Sequence, residues 1–411
     1  MNKLDELIQQ LCPNGVPYRR LGDIATICRG GSFQKKDFTE SGVPCIHYGQ
    51  IYTHYGLFVN ETITYIGEET AQKQKFAEPN DVVMAVTSEN IEDVCKCVAW
   101  LGDGKVAVSG HAAIIHHSMN PKYLVYWLHS SSFYQQKAKI ANGTKVIEVA
   151  PAKLSDVVLP VPPLEVQREV ARILDTFTEL TAELTAELTA ELTARKQQYA
   201  YYRNKLLTFN IPGGTSRTTW RKFGETCFLQ AGKAINAENI SKEKTPEYCI
   251  PCYGGNGLRG YVREANQQGD KPLIGRQGAL CGNVCFAKGD YYATEHAVVV
   301  TDQGFYNSRF LYHLLVNKNL NQYKTSGAQP GLSVAKLETI LLPVPEIEIQ
   351  KRIADVLDNF DAICSDLNIG LPAEIEARKK QYEFYRDQLL TFAVQDEIVL
   401  TDRQTDRQTD R

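Results

Sequence analysis

The sequence predicts an α+β protein: two mixed α/β domains separated by two long helices, built as a tandem duplication with pseudo-twofold character. Three observations predict it. Residues 152–209 and 335–392 align without a gap over 58 positions at a constant offset of 183, with 28 identities. Each copy carries an apolar stripe at helical spacing. Each copy also follows a region of short strand-like runs bounded by turn residues.

A chain of 411 residues holds two or three domains. Hydrophobic residues are 43% and charged residues 23%, and 29 Gly and 17 Pro are too few for wholesale disorder. No apolar run reaches the ~18 residues of a membrane span. Met1–Glu6 lacks the apolar stretch of a secretory signal. A soluble, cytoplasmic protein is expected. Eleven cysteines, an odd number in a large chain, point to reduced thiols. The net charge of −3 rules out a global polycation.

The first domain spans 1–151. Its strand-like runs are 43–51, 81–87, 94–100 and 111–117, followed by a helix over 121–140 and a glycine turn at Gly143. The first repeated segment, 152–209, opens with Lys153-Leu154 and Leu159-Pro160-Val161-Pro162. A helix is predicted from Leu164 to Phe209, ~69 Å long at ~1.5 Å per residue. Its stripe is Leu164, Ile173, Leu174, Phe177, Leu180, Leu184, Leu188 and Leu192. Pro212-Gly213-Gly214 ends it.

The second domain, 210–334, repeats the plan with runs at 247–253, 272–277, 281–287 and 291–301. A helix over 305–323 and a turn at Gly327 follow. Trp220-Arg221-Lys222-Phe223-Gly224-Glu225 resembles Tyr18-Arg19-Arg20-Leu21-Gly22-Asp23 at an offset of 202. The second repeated segment, 335–392, carries Ile347, Ile353, Leu357, Phe360, Ile363, Leu367, Leu371 and Ile375. Gly370-Leu371-Pro372 predicts a kink or restart. Two such stripes suggest that the helices pair on each other. A parallel pair needs each domain to reach back, whereas an antiparallel pair places the domains at opposite ends.

The tail 393–411 ends in Thr-Asp-Arg-Gln repeats, has no apolar residue after Leu400, and is expected to be disordered. A period of four residues is compatible with the tetranucleotide ACAG, so slippage of a repeat tract in the gene is a further expectation.

Charge sits unevenly. Residues 18–151 are balanced and residues 219–334 carry +4. A phosphate-binding face is possible on the second domain. Five glycine loops hold donors suited to phosphates or base edges. They are Arg29-Gly30-Gly31-Ser32, Asn142-Gly143-Thr144-Lys145, Tyr253–Arg259, Gly275-Arg276-Gln277-Gly278 and Ser326–Gly331. The candidate DNA-binding residues are Arg29, Ser32, Lys35, Thr144, Lys145, Lys233, Asn256, Arg259, Arg276, Gln277 and Gln329. Each loop alone reads as an ordinary turn; their recurrence in both domains raises the functional reading. Along the helices, Leu180, Leu184, Leu188, Leu192, Leu357, Phe360, Leu367 and Ile375 are candidates for the spacer and partner-docking face.

No catalytic residue and no metal site is assigned. The chain lacks a phosphate loop, an amino-methyltransferase tetrapeptide of the Asn/Asp-Pro-Pro-Tyr/Phe kind, and a nucleophile elbow. Cys249-x-x-Cys252 and Cys281-x-x-x-Cys285 could supply four thiolates to zinc, but strand alternation opposes that. Cys95-Lys96-Cys97 reads as two thiols on one strand face. His116-His117 and Glu295-His296 read as structural or DNA-facing residues.

The duplicated Leu-Pro-Val-Pro…Gln…Arg-Lys-x-Gln-Tyr-x-x-Tyr-Arg frame resembles the specificity subunit of type I restriction-modification enzymes. Thr-Ala-Glu-Leu at 181–184, 185–188 and 189–192 resembles the type IC branch. The resemblance implies two target-recognition domains held apart by an antiparallel coiled coil, each reading half of a split double-stranded DNA site. It implies a non-catalytic subunit that binds two modification subunits, together with restriction or translocase subunits. S-adenosylmethionine, ATP and Mg would act in those partners, with no membrane involved. The alternative is a non-catalytic coiled-coil adaptor for proteins, and a hydrolase built on the cysteines and histidines is a third class.

Overall fold

The computed structural model describes residues 3–209, 218–278, 280–325, 331–365 and 370–393. Gly327, Gln329, Leu367, the Pro212 turn and the tail after 393 lie outside them. The chain divides into two compact units, Met1–Ala186 with Glu376–Arg411, and Glu187–Ile375. Among the described residues no helix is long and apolar enough to cross a membrane.

In the first unit, α1 (Lys3–Leu11) precedes a domain of two five-stranded sheets. The central sheet runs Ala25–Arg29, Ala112–His117, Val82–Ala85, Cys97–Trp100, Phe58–Val59. Val82, Val83, Met84 and Ala85 are buried on both faces, because cores lie above and below them. The helix expected over 121–140 is two helices, α2 (Pro121–Leu128) and α3 (Ser131–Ile140). Asn120 caps α2 with Pro121 at its first turn, and Ser130 caps α3 by accepting from the Phe133 N–H.

Other expectations also need correction. The run 43–51 is a strand only over Val43–Ile46, then a short helix Tyr48–Thr53 started by the His47 side chain. Cys95 does not share a strand with Cys97: it is in the left-handed region at φ 66°, where the chain turns into Cys97–Trp100. The run 291–301 is two strands, Asp290–Ala293 and Ala297–Asp302, broken at Thr294–His296.

The Leu-Pro-Val-Pro anchors form edge strands. Val158–Pro160 pairs antiparallel with Tyr18–Arg20, and Leu341–Val344 with Thr219–Lys222. The two sequence resemblances, at offsets 183 and 202, are therefore partners in one ladder, Arg19 opposite Leu159 and Arg221 opposite Leu342. Proline is tolerated there because the ribbons have only two strands.

α4 (Leu164–Leu206) is one unbroken helix of 43 residues. Its start, Val166, Val170 and Leu174, is buried in the first domain's core. Leu389, Leu390 and Phe392, at the end of α7 (Leu371–Leu389), join that same core. In the second unit the roles exchange. Leu206, Leu207 and Phe209 close onto the second domain with Ile353, Ala354 and Leu357 of α6 (Ile347–Ser365). Each domain core thus takes the start of one repeated helix and the end of the other. That domain also carries α5 (Ser308–Asn317), shorter than expected because Asn319 enters the left-handed region at φ 49°. Leu371 starts α7 at the predicted interruption, with the Gly370 carbonyl accepting from the Ala373 and Glu374 N–H groups.

Candidate nucleic-acid interface

In the first domain, one end of the central sheet is tied by a set of backbone hydrogen bonds. Gly30 N–H donates to Ala112 O (2.9 Å), Gly31 to Val108 O (2.6 Å), Ser109 to Ile46 O (3.1 Å), and Val86 to His111 O (3.0 Å). Val149 then donates to Val86 O (3.0 Å). The second domain repeats each tie. Gly232 donates to Ala297 O (3.0 Å), Lys233 to Ala293 O (3.0 Å), Thr294 to Tyr253 O (2.9 Å), Arg276 to His296 O (2.9 Å), and Leu332 to Arg276 O (2.8 Å). A side chain at Gly30 would strike the carbonyls of Val108 and Ser109. One at Gly232 would strike those of the equivalent Ala293 and Thr294. Glycine is required at both for close backbone approach.

This frame gathers most of the sequence candidates into one loop cluster per domain. Arg29 pairs with Glu148, whose backbone bridges to Asn142, so Arg29 sits against the loop bearing Thr144 and Lys145. Ser32 and Lys35 follow Gly31 and are exposed, anchored by the buried Phe33. In the second domain Gly255 backs onto Gln277 and His296, and Gln277 bridges to Gly331. Asn256 and Arg259 stand exposed on that hairpin, and Lys233 approaches through its bond to Ala293. Arg276 is half-buried, and Arg276 Nε, Glu295 Oε2 and His296 Nδ1 are buried without a hydrogen-bond partner among the described residues.

The sequence pointed to His296 only as a structural or DNA-facing residue, and His47, Tyr48, Thr87 and His111 were not among its candidates. His111 and His296 occupy the same position, one residue before equivalent strands. Thr87 Oγ1 lies 3.3 Å from His111 Nδ1. The Tyr48 ring lies 5.0 Å from His111 and 4.6 Å from His47. Burial, with Lys35 and His111 nearby, pushes His47 down, which leaves Nδ1 free to accept from the Gly49 N–H at 3.1 Å. A gapped comparison of His111-Ala112-Ala113-Ile114 with His296-Ala297-Val298-Val299 was the available signal.

A family model described as type I restriction modification DNA specificity domain matches residues 13–194 and again 218–377. The chain belongs to this family. It is 37% identical over 339 residues to the Escherichia coli type I restriction enzyme EcoprrI specificity subunit, covering 81% of this chain and 84% of that one. A putative type I specificity subunit of Mycoplasma pneumoniae is 32% identical, covering 71% and 88%. The fold is similar to a solved structure titled for complex assembly and conformational transition of the type I R-M system. That match has TM-score 0.68 and 16% identity, covering 92% of this chain and 98% of the other. The HsdS subunit from Thermoanaerobacter tengcongensis matches at TM-score 0.54 with 16% identity, covering 92% and 97%. The protein is thus a specificity subunit of a type I restriction-modification system.

In this specificity subunit the repeated helices are fixed to each domain by matching polar contacts. Asp175 of α4 takes Lys122 Nζ (2.6 Å) and Tyr126 OH (2.8 Å) from α2. The equivalent Asp358 of α6 takes Arg309 in a bidentate pair and His313 Nε2 (2.6 Å) from α5. Thr178 bridges Tyr126 (3.1 Å) and Tyr382 (2.9 Å) in the first unit, and Tyr199 OH meets His313 Nδ1 (3.2 Å) in the second.

The predicted docking residues divide by exposure. Leu357 is fully buried in the second domain's core, which closes it to a partner. Phe360 stacks on Tyr199 and Tyr202 at 6.4 and 5.9 Å. Leu180, 56% exposed, and Leu184 line a groove of about 220 Å³ with Phe177, Tyr382 and Tyr385. Leu188, Leu192 and Ile375 are half-buried. In the first unit α4 and α7 run antiparallel, Phe177 meeting Tyr385 and Thr178 meeting Tyr382. α4 and α6 are antiparallel in the second. Among the described residues no group of three or more His, Cys, Asp or Glu could hold a metal ion.

Proposed function

We propose that each loop cluster reads one half of a bipartite DNA target, and that the repeated helices set the unread spacer and dock the modification subunits, two per chain. One observation carries this reading: the two clusters share their backbone frame and differ in the side chains mounted on it. Gly30 and His111 recur as Gly232 and His296, whereas Gly31, Val86, Thr87, Gly110 and Glu148 are replaced by Lys233, Arg276, Gln277, Glu295 and Gly331. A constant scaffold with variable donors is what two different half-sites require. The chain itself performs no chemistry in this reading. S-adenosylmethionine, ATP and Mg act in the partner subunits, with restriction subunits joining for cleavage.

Exchanging residues 18–151 for the corresponding domain of another specificity subunit tests it. Methylome mapping of cells carrying the hybrid should show one half-site changed and the other retained. Change in both, or in neither, would overturn the assignment of one half-site to each domain.

A further inference from the structure

On the first domain's central sheet, running back from the residue that precedes Arg29 of the loop cluster, a thiol, an imidazole and a carboxylate line up. Cys28 Sγ lies 4.0 Å from His116 Nε2, and His116 Nδ1 lies 2.6 Å from Asp81 Oδ2. The register explains the alignment. Cys28 is opposite Ile114, which puts Cys28 and His116 on one face of neighbouring strands as a diagonal pair. Asp81 precedes the next strand, and its carboxylate is fixed by accepting from the Glu78 N–H at 2.6 Å. Asp81 is buried, His116 is 35% exposed in its side chain, and Cys28 is half-buried. The thiol and imidazole thus belong to partly exposed residues while the orienting carboxylate is shielded.

The shared frame does not need these residues. Register places Gln230, Thr301 and Lys271 at the equivalent positions of the second domain, which folds the same sheet without a thiol, an imidazole or a carboxylate there.

We propose that Cys28, His116 and Asp81 form a thiol-modification site that exchanges with low-molecular-weight disulfides. The Cys28 proton passes to His116 Nε2, and Asp81 holds the resulting imidazolium. The Cys28 thiolate attacks one sulfur of the disulfide. A new bond forms between that sulfur and Cys28 as the old sulfur–sulfur bond breaks, and the other half leaves as a thiolate that takes up a proton. Cys28 is oxidised to the mixed disulfide and the leaving half is reduced. Burial pushes the Cys28 thiol up; of the charges facing it, Lys75 pulls it down and Asp81 pushes it up. Glu78 faces Asp81, and His117 faces His116. Transfer to His116 is therefore what makes the thiolate available.

The test treats the full-length chain with oxidised glutathione and follows each cysteine by peptide mass spectrometry. Cys249, the exposed cysteine, serves as internal reference. Cys28 should be modified faster than Cys249 despite its lower exposure. His116→Gln should slow Cys28 by about tenfold or more, as expected for loss of a general base, and leave Cys249 unchanged. Should that variant fail to fold, Asp81→Asn provides the same comparison, with a smaller slowing expected. A Cys28 rate no greater than that of Cys249, or unaffected in the folded variant, would overturn the site.

Discussion

Gln167 and Gln350, 183 residues apart, lock their helices to their own domains by the same two hydrogen bonds. Each side-chain amide donates to a proline carbonyl five residues earlier, Pro162 at 2.7 Å and Pro345 at 2.8 Å. Each side-chain oxygen accepts, at 2.8 Å, from the backbone N–H of the asparagine capping a domain helix, Asn120 for α2 and Asn307 for α5. Both glutamines are almost fully buried.

Replacing Gln167 by alanine removes the side-chain partner of two backbone groups, and replacing Gln350 that of three, the Phe305 carbonyl at 3.0 Å being the third, at a cost of about 1–3 kcal/mol each. Gln167→Ala should loosen the first unit and Gln350→Ala the second. Limited proteolysis followed by mass spectrometry locates the new cuts; cuts appearing in the wrong unit would contradict this account.

The first unit should weaken in mild acid. Burial pushes His129 down to about 4, with Arg386, Lys137 and Lys96 adding to the effect and the Val125 carbonyl opposing it. Below the ordinary histidine range the unfolded chain takes up the proton first. The stabilisation is complete above about pH 6.5 and is lost as pH falls toward 4, by roughly 3 kcal/mol. Burial places His117 at about 4 as well, and it adds in the same sense. Urea unfolding followed by tryptophan fluorescence at pH 7.5, 6 and 5 should show the decline. His129→Gln should flatten it; an unchanged slope would remove His129 as the cause.

Base readers and phosphate contacts should separate in binding assays with the assembled enzyme. Arg276→Ala or Gln277→Ala should relax discrimination in one half-site by ~1–3 kcal/mol per lost bidentate contact. Lys145→Ala should instead weaken binding to all sequences and reduce the salt slope by about 0.9. Retained discrimination in both of the first two variants would exclude that loop.

The Thr-Ala-Glu-Leu units lie within α4, and deletion of Thr189–Leu192 keeps its helical pattern. Four residues are ~6 Å of helix and a net rotation of ~40°. One base pair is ~3.4 Å and ~34–36°. The deletion should shorten the preferred spacer by about one base pair and leave each half-site unchanged. Methylation of duplexes with stepped spacers reads this directly, and an identical preference would show that the helix is not the ruler.

Much of this was written in one dimension. The duplication, a long helix starting at Leu164, the restart at Leu371 and the loops with Arg29, Lys145, Arg276 and Gln277 follow from spacing and glycine placement, which act over a few residues; the helix ends at Leu206, short of the expected Phe209. Tertiary structure decided what depends on contacts between distant segments. It made Leu-Pro-Val-Pro an edge strand, because only the ladder with Tyr18–Arg20 supplies its partners. The split of 121–140 at Ser130 is by contrast local, a capping bond from the Phe133 N–H three residues on, which the continuous apolar run masked. Tertiary structure brought His111 and His296 to equivalent places through strand register, which no local propensity encodes. The end of α7 is the clearest case. Leu389, Leu390 and Phe392 are apolar in the sequence, but that they complete the core of a domain beginning nearly four hundred residues earlier is decided by burial alone.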